Sequence, residues 1–331
     1  MLLKVFRGTG PAVILLIIIT LGLLWISAFI NPQPEGSLIY ETKPMPLYGV
    51  LKYLVGGQQL SGVIFTFVLM VVLLFLIGYF NTSVFFINER TFLPVLVYAL
   101  FSAVFPQMQT LNPALPAAVF LMLAQIRIME AYKKQGIAFN FFDAGLLIST
   151  GSLFYANLIW FGIIILIGIA ILRTGNIKEV AISFLGLITP YVIVIGMYYV
   201  LGNDIRDFFN NIRENLFADS PGYTFMRITV VVLIYISLII LLSIGFLIPQ
   251  LNSKKIVARK TFYLLLWILG LSLGLYFFMP NVSVEIVWIA GIPASYFLVH
   301  YFVFVRKKIV PEIFFTGIYL LVLLTQILYI F

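Results

Sequence analysis

The chain has 331 residues, of which 63% are hydrophobic and only 10% are charged, and its formal net charge is +8. A soluble domain usually carries about 25% charged residues, so this composition excludes a water-facing surface and fits a lipid-facing one. The lack of cysteine excludes disulfides, thiolate catalysis and cysteine-bound metal clusters, and the single histidine, His300, argues against a histidine-rich metal site.

The membrane-spanning segments follow from the apolar runs, because a helix needs about 20 apolar residues to cross a bilayer. The first run has no clear cleavage site at its end and is interpreted as a retained span rather than a removed signal. The clear candidate spans are residues 11–30, 60–80, 180–201, 228–249, 261–279, 285–305 and 312–330. In chain order the predicted spans are residues 11–30, 60–80, 92–105, 114–129, 142–155, 157–173, 180–201, 228–249, 261–279, 285–305 and 312–330.

Two parts of this series are ambiguous. The short pair 92–105 and 114–129 is broken by a segment running from Pro106 to Pro113, and either member could be a re-entrant half-helix. We favour two short or tilted spans. The run 142–173 would make a single helix of about 48 Å, which is too long for one ordinary span and short for two.

The distribution of charge favours two crossings in 142–173, with a tight turn near Tyr155. Two crossings put 15 of the Lys and Arg residues on the side of the N-terminus and 5 on the other, whereas one crossing gives 9 against 11. Cytoplasmic loops are enriched in Lys and Arg. The sequence therefore predicts an all-α polytopic bundle of about eleven spans, with a cytoplasmic N-terminus and an outer C-terminus. The basic residues lie in short loops, which indicates membrane topology rather than nucleic-acid binding.

Two segments of the predicted outer face are longer than simple turns. Within the first, 31–59, the residues 47–54 have the spacing of a short helix lying in the membrane interface. The second, 203–218, places six apolar residues on one helical stripe and is predicted to be an amphipathic interfacial helix. Such a helix either joins two spans or covers a functional cavity. Its polar side chains that could line or cover such a cavity are Asp204, Asp207, Arg213 and Glu214.

Carboxylates are the candidate catalytic groups, and they are sparse. Glu35 and Glu41 follow the first span on the predicted outer side, where a carboxylate could act as a base or hold a divalent cation. The alternative is a pair of solvated loop charges. Asp143 and Glu285 each open a predicted span and are interpreted as helix-end charges. Glu89 and its neighbours, between the second and third spans, could clasp those two helices together.

Polar side chains inside the spans are also few. His300 is expected to bond a neighbouring carbonyl, and Gln125, Asn157 and Gln326 are candidates for hydrogen bonds between helices. Small residues at Gly151–Ser152 and around Gly291 permit close approach of helices. No phosphate-binding glycine loop, catalytic triad or zinc-binding HExxH pattern occurs, and no cofactor is evident.

The chain resembles an uncharacterised family of multi-pass inner-membrane proteins from Bacteroidota-type bacteria. The features that carry this resemblance are the short N-terminal arm, the Pro-rich segment after the first span and the stretch Phe86-Ile-Asn-Glu-Arg-Thr-Phe-Leu-Pro94. More remotely, its layout is similar to the C-type superfamily of polyprenyl-phosphate-dependent glycosyltransferases. That similarity implies a transfer reaction on a lipid-linked substrate, with Glu35 or Glu41 in an acidic loop and a divalent cation as the possible cofactor. The chain lacks that superfamily's paired acidic residues and its large soluble domain.

Three functions remain open at the sequence level. The first is a glycosyltransferase-like enzyme of the bacterial inner membrane that acts on a polyprenyl-linked substrate in the outer leaflet. The second is a non-catalytic subunit that assembles an envelope or secretion complex with other membrane proteins. The third is a lipid or solute transporter.

Overall fold

The computed structural model of the chain describes residues 2–32, 43–55, 58–84, 86–87, 89, 91–132, 138–172, 177–218 and 226–330, which contain helices and no strand. The helices are α1 (Leu2–Phe6), α2 (Pro11–Ile30), α3 (Pro46–Val55), α4 (Gln59–Val84), α5 (Leu93–Ser102), α6 (Ala114–Glu130), α7 (Ala138–Ser152), α8 (Ile163–Leu172), α9 (Ile177–Val200), α10 (Ile205–Phe217), α11 (Arg227–Leu247), α12 (Ile256–Phe278), α13 (Val287–Phe304) and α14 (Ile309–Ile330). Short 3-10 helices precede or follow several of them, at Pro106–Met108, Ala156–Gly162, Ile248–Ser253 and Val284–Ile286.

Seven helical stretches in the described part of the chain are long and apolar enough to cross a membrane, which is consistent with a membrane protein. They contain α2, α4, α9, α11, α12, α13 and α14. Several present a broad apolar face outward, as α9 does with Leu185, Ile188 and Val192. A broad apolar face of this kind would promote aggregation in water, whereas it suits a helix that contacts lipid.

The proline-broken pair forms a hairpin inside the bundle. α5 has ten residues, so it rises only about 15 Å, and the chain then continues to α6 with only the 3-10 helix Pro106–Met108 between them. Gln109 Nε2 donates to the carbonyl of Leu24 at 2.9 Å, and Tyr48 in α3 donates to the carbonyl of Leu111 at 3.2 Å. Non-helical backbone at membrane depth is tolerated where protein surrounds it and satisfies its polar groups. Tyr48 of α3 therefore covers the far end of this hairpin.

The chain reversal predicted near Tyr155 is present. α7 begins beside the end of α6, where Asn140 Nδ2 donates to the carbonyl of Arg127. The 3-10 helix and α8 then bring the chain back to the same end of α6, where Gly168 packs against Ile128. Residues 142–172 therefore form two legs of a hairpin rather than one long helix, with the turn at 153–155.

The core of the bundle surrounds α13, in which nearly every side chain is buried. Gly291 lets α13 approach α5 closely, because a Cβ added there would lie 2.8 Å from the ring of Phe101. The close approach predicted around this glycine is confirmed. Tyr98 of α5 donates to the carbonyl of Trp288 at 2.7 Å, and Tyr296 of α13 donates to the carbonyl of Ile77 at 2.6 Å. These bonds join the central helix to its neighbours.

The two ends of the bundle differ in charge. We call the end that carries α1 and the α13–α14 turn the basic end, and the end that carries α3 and α10 the cap end. The described basic residues of the basic end are Lys4, Arg7, Arg127, Lys178, Lys254, Lys255, Arg259, Lys260, Arg306, Lys307 and Lys308. Those of the cap end are Lys43, Lys52, Arg206, Arg213 and Arg227.

Candidate functional site

α10 covers part of the cap end. Asp204 caps its N-terminus by accepting a hydrogen bond from the backbone N–H of Arg206 at 2.8 Å. On its inner side, Phe208 is fully buried against the rings of Tyr191 and Tyr198 in α9. A helix with one buried face is therefore present within the predicted segment 203–218, and its position in the membrane interface stays a prediction. Phe209, however, lies on the predicted apolar stripe and is 54% exposed, because the bundle below covers only part of that stripe.

Asn215, the buried side chain at the end of α10, joins three segments of the cap. Its Oδ1 accepts from the backbone N–H of Lys43 at 3.3 Å, and its Nδ2 donates to the carbonyl of Lys43 at 2.7 Å. Asn281, in the connection between α12 and α13, donates to the carbonyl of Asn215. Lys43 also forms an exposed ion pair with Glu214, with a nitrogen–oxygen distance of 3.3 Å. Of the residues predicted to line or cover a cavity, Asp204, Asp207 and Arg213 are exposed and Glu214 is half-buried, and that role stays a prediction.

Glu285 is a buried carboxylate beneath this cap. Only 1% of the residue is exposed, and its Oε1 accepts hydrogen bonds from the hydroxyl of Tyr155 and the backbone N–H of Ser283, both at 2.9 Å. Tyr155 comes from the turn after α7, so the bond ties the α7–α8 hairpin to the start of α13. No Lys or Arg of the described chain forms an ion pair with this carboxylate. Glu285 is thus a hydrogen-bonded acid at the edge of an apolar core, with no cation among the described residues paired to it.

The sequence predicts only a helix-end role for Glu285, and the bond to Ser283 fits that role. The contact with Tyr155 could not be foreseen, since the two residues are 130 positions apart and nothing local connects them. The sequence does show that Glu285 is an isolated acid at the border of a predicted span, close to Trp288. An acid that enters the membrane is costly and often marks a functional site.

The polar side chains predicted within the spans behave differently from one another. Gln326 joins three segments as expected, since its Oε1 accepts from Ser27 and its Nε2 donates to the carbonyl of Ala103 at 2.7 Å. Gln125 is buried, yet neither of its amide atoms has a partner among the described residues. The same holds for Oδ1 of Asn157. The hydrogen bonds predicted for Gln125 are therefore not found.

The bond to a carbonyl that is expected for His300 is likewise not found among the described residues. Neither ring nitrogen has a hydrogen-bond partner in the described part of the chain, although the residue is fully buried. Its ring lies among Phe86, Phe246 and Phe304, with centroid distances of 6.0, 6.3 and 4.6 Å.

Two acids at the basic end also have partners that the sequence did not predict. Glu89 forms a bidentate ion pair with Arg7 of the N-terminal arm, at 2.6 Å for the shortest contact. Its neighbours Asn88 and Arg90 lie outside the described residues, so the predicted clasp between the second and third spans stays a prediction. Asp143 lies in the second turn of α7, since that helix begins at Ala138, and it contacts Arg127 at 3.7 Å. Both acids therefore serve local charge pairing. Among the described residues no three acidic or histidine side chains come together as a metal site.

Residues 49–331 match DUF6427, a family of unknown function. The chain belongs to DUF6427. The match confirms the expected membership of a family without a known function. No curated protein and no solved structure matches the chain, and nothing in these comparisons supports the resemblance to glycosyltransferases.

The DUF6427 match covers the Glu285 site and not the predicted catalytic acids. Glu285, Tyr155 and α10 all lie within the matched residues, whereas Glu35 and Glu41 precede them. Glu35 and Glu41 also lie outside the residues that the structure describes, so their catalytic role stays a prediction. The candidate site of this DUF6427 protein is therefore centred on Glu285 and Tyr155, under the cap formed by α3, α10 and Lys43.

Proposed function

We propose that this chain spans the bacterial inner membrane eleven times and acts at its cap end on a lipid-linked substrate in the outer leaflet. In this arrangement the N-terminus and the basic end lie in the cytoplasm, and the cap end and the C-terminus lie outside. The unequal charge of the two ends supports the orientation, since cytoplasmic loops carry the excess of Lys and Arg. The α5–α6 and α7–α8 hairpins supply four shorter crossings beside the seven long helices.

The buried carboxylate of Glu285 is the observation that carries the proposal. An acid held in an apolar core without a cation is expensive, and such groups commonly serve in proton transfer or substrate binding. Tyr155 orients the carboxylate through its hydroxyl. In the proposed reaction Glu285 takes the proton of an acceptor hydroxyl, whose oxygen forms a bond to the anomeric carbon of the donor sugar, while the bond from that carbon to the phosphate breaks and the polyprenyl phosphate leaves. Glu41, two residues before Lys43 in the chain, and Glu35 would bind the phosphate of the donor through a divalent cation.

The surface of the cap suits a lipid-linked substrate. α3 exposes Tyr53 and Leu54 at 86% and 74%, and α10 exposes Phe209 and Phe217. Aromatic and aliphatic side chains on short helices parallel to a bilayer are typical of the membrane interface. A substrate with a polyprenyl chain would present its phosphate and sugar at this same level, next to the cap.

The proposal is tested in a bacterium that carries this gene, by mass spectrometry of the lipid-linked saccharides in its membranes. Deleting the gene should change that pool, and the wild-type gene should restore it. Glu285→Gln should not restore it, although the amide can still accept the bond from Tyr155 and should keep the protein folded. Glu130→Gln is the matched control, since Glu130 pairs with Arg127 at the basic end. Full restoration of the pool by Glu285→Gln at normal protein levels would contradict the proposal.

A second candidate is a membrane subunit of an envelope complex, and one feature of α12 favours it. Gly270 and Gly274 are four residues apart, and a Cβ added at either position would meet no atom within 4 Å. They lie between the exposed side chains of Trp267 and Phe277. Small residues at this spacing let a second transmembrane helix approach closely. The transporter hypothesis gains no such support, because the core around α13 is filled with apolar side chains.

The subunit hypothesis is tested by purifying the tagged protein from its own membranes in mild detergent. The double variant Gly270→Leu/Gly274→Leu should lose partners that the wild type retains. Gly22→Leu/Gly245→Leu is the matched control, since these two glycines are also open but lie on α2 and α11. A wild-type protein that elutes as a monomer without partners would count against this candidate.

A further inference from the structure

A groove opens at the basic end between α11 and the α13–α14 turn, far from Glu285 and unused by the proposed function. It encloses a cavity of about 590 Å³. Its walls are largely apolar and aromatic, while Gln250 and two cations from the α13–α14 turn complete the lining. The residues on which the argument rests are Phe246, Tyr301, Phe304, Gln250, Arg306 and Lys307.

The cations of this groove lack counter-ions. Arg306 and Lys307 are exposed, and neither forms an ion pair with a described acid. Lys254 stands beside them, with its Nζ 3.8 Å from the centre of the Phe304 ring. Burial lowers the pKa of the Lys254 ammonium from its usual value, and a bound anion would offset that cost. The groove thus offers positive charge with nothing in the described chain to neutralise it.

The apolar part of the groove continues onto the flanks of the bundle. Ile248, two residues before Gln250, is 53% exposed, and Ile309, which follows the basic turn, is 65% exposed. A soluble anion would leave these surfaces and the aromatic walls unused. An amphiphile would fill them, with its anionic head on the cations and its chains along the helices. Basic pockets between transmembrane helices on the cytoplasmic side are suited to anionic lipid headgroups.

We infer that this groove binds an anionic phospholipid, with the phosphate of the headgroup on Arg306 and Lys307 and the acyl chains against α11 and α14. Phe246, Tyr301 and Phe304 form the wall on which the glycerol region rests. Gln250 donates to or accepts from the headgroup at its edge. The site belongs to the basic end, so it is independent of any reaction at the cap.

The test uses the full chain in mild detergent, with phosphatidylglycerol as the probe and phosphatidylcholine as the neutral lipid of the same chain length. Bound lipid is counted by native mass spectrometry over a titration. The wild type should prefer phosphatidylglycerol. The variant Arg306→Gln/Lys307→Gln should bind it about tenfold more weakly or worse, since each basic residue near a lipid headgroup contributes measurably. Arg306→Lys/Lys307→Arg keeps both charges and should bind like the wild type.

Lys255→Gln/Lys308→Gln is the matched control, because it removes the same charge from the same end at exposed positions outside the groove. It should retain phosphatidylglycerol binding within about threefold, because neither side chain lines the groove and an exposed charge contributes little without a direct contact. An equal loss in both double variants would mean general surface attraction and would overturn the inference. So would an absence of preference between the two lipids. Displacement of phosphatidylglycerol by inorganic phosphate at millimolar concentration would overturn the lipid assignment and indicate a site for a soluble phosphate. Elution volume and helical content check that every variant is folded.

Discussion

At the residue scale, Gln326 and Gln125 are both buried amides, but only Gln326 has hydrogen-bond partners among the described residues. Gln326 connects α14 to Ser27 in α2 and to the carbonyl of Ala103, just beyond the end of α5. That carbonyl lies where the helix stops, so it needs a donor from elsewhere. Gln125 is equally buried and finds no partner among the described residues. The Gln326 amide donates a hydrogen bond to a carbonyl at a helix end. The Gln125 amide loses its hydrogen bonds to water on burial and gains none from the described residues.

The contrast predicts opposite effects of the same substitution. Gln326→Leu should lower the free energy of unfolding by about 1–2 kcal/mol, because it leaves a buried carbonyl unpaired. Gln125→Leu should be neutral or stabilising, since it removes two unpaired polar atoms from the core. Unfolding in mixed micelles with increasing SDS measures both values. A loss for Gln125→Leu as large as that for Gln326→Leu would show that Gln125 has a partner that this structure does not describe.

The two glutamines also show which properties of single residues can be predicted from the sequence. Both were predicted to bond between helices, because a polar side chain inside a span needs a partner. Composition and position identify such residues, but not which neighbour each one faces. The same limit explains Glu285, whose position at a span border was visible while its contact with Tyr155 depended on tertiary packing.

At the element scale, the closest helix contact is the crossing of α7 and α9. A Cβ added at Gly186 would lie 2.2 Å from the carbonyl oxygen of Phe142, and one added at Gly145 would lie 2.5 Å from that of Ser183. The two backbones therefore touch, and no side chain can be accommodated between them. Close backbone approach through small residues is a principal source of helix association in membranes.

This crossing predicts that Gly186→Ala lowers the free energy of unfolding by about 1–3 kcal/mol, as overpacking a tight contact does. Gly196→Ala is the control on the same helix, where an added Cβ meets no atom within 4 Å, and it should change little. Thermal unfolding in detergent compares the two variants. Equal midpoints for Gly186→Ala and the wild type would contradict the close crossing.

The existence and order of the long helices could be predicted because bilayer thickness fixes their length and apolar character. The distribution of Lys and Arg residues between the two sides also predicted that 142–173 forms two segments rather than one. The short elements could not be derived in the same way. α5 ends at Ser102, three residues before the predicted end at 105, and the following chain is held by side-chain bonds such as that of Gln109 to Leu24, which a hydropathy pattern does not show.

At the scale of the whole molecule, the two ends have separate roles in the proposed function and the further inference. The cap end holds a buried carboxylate beneath short helices with exposed aromatic residues, and the basic end holds the unpaired cations of the groove. Both roles depend on which side of the membrane each end faces. The orientation is therefore the central claim on which the rest depends.

Cysteine labelling measures this orientation directly, because the chain has no cysteine of its own. Single variants Lys52→Cys and Arg213→Cys report on the cap end, and Lys255→Cys and Lys308→Cys report on the basic end. All four are treated with a membrane-impermeant maleimide on intact spheroplasts and again after permeabilisation. The cap-end pair should label in intact spheroplasts, and the basic-end pair only after permeabilisation. Labelling of the basic-end pair in intact spheroplasts would contradict the orientation and, with it, a site that works on the outer leaflet.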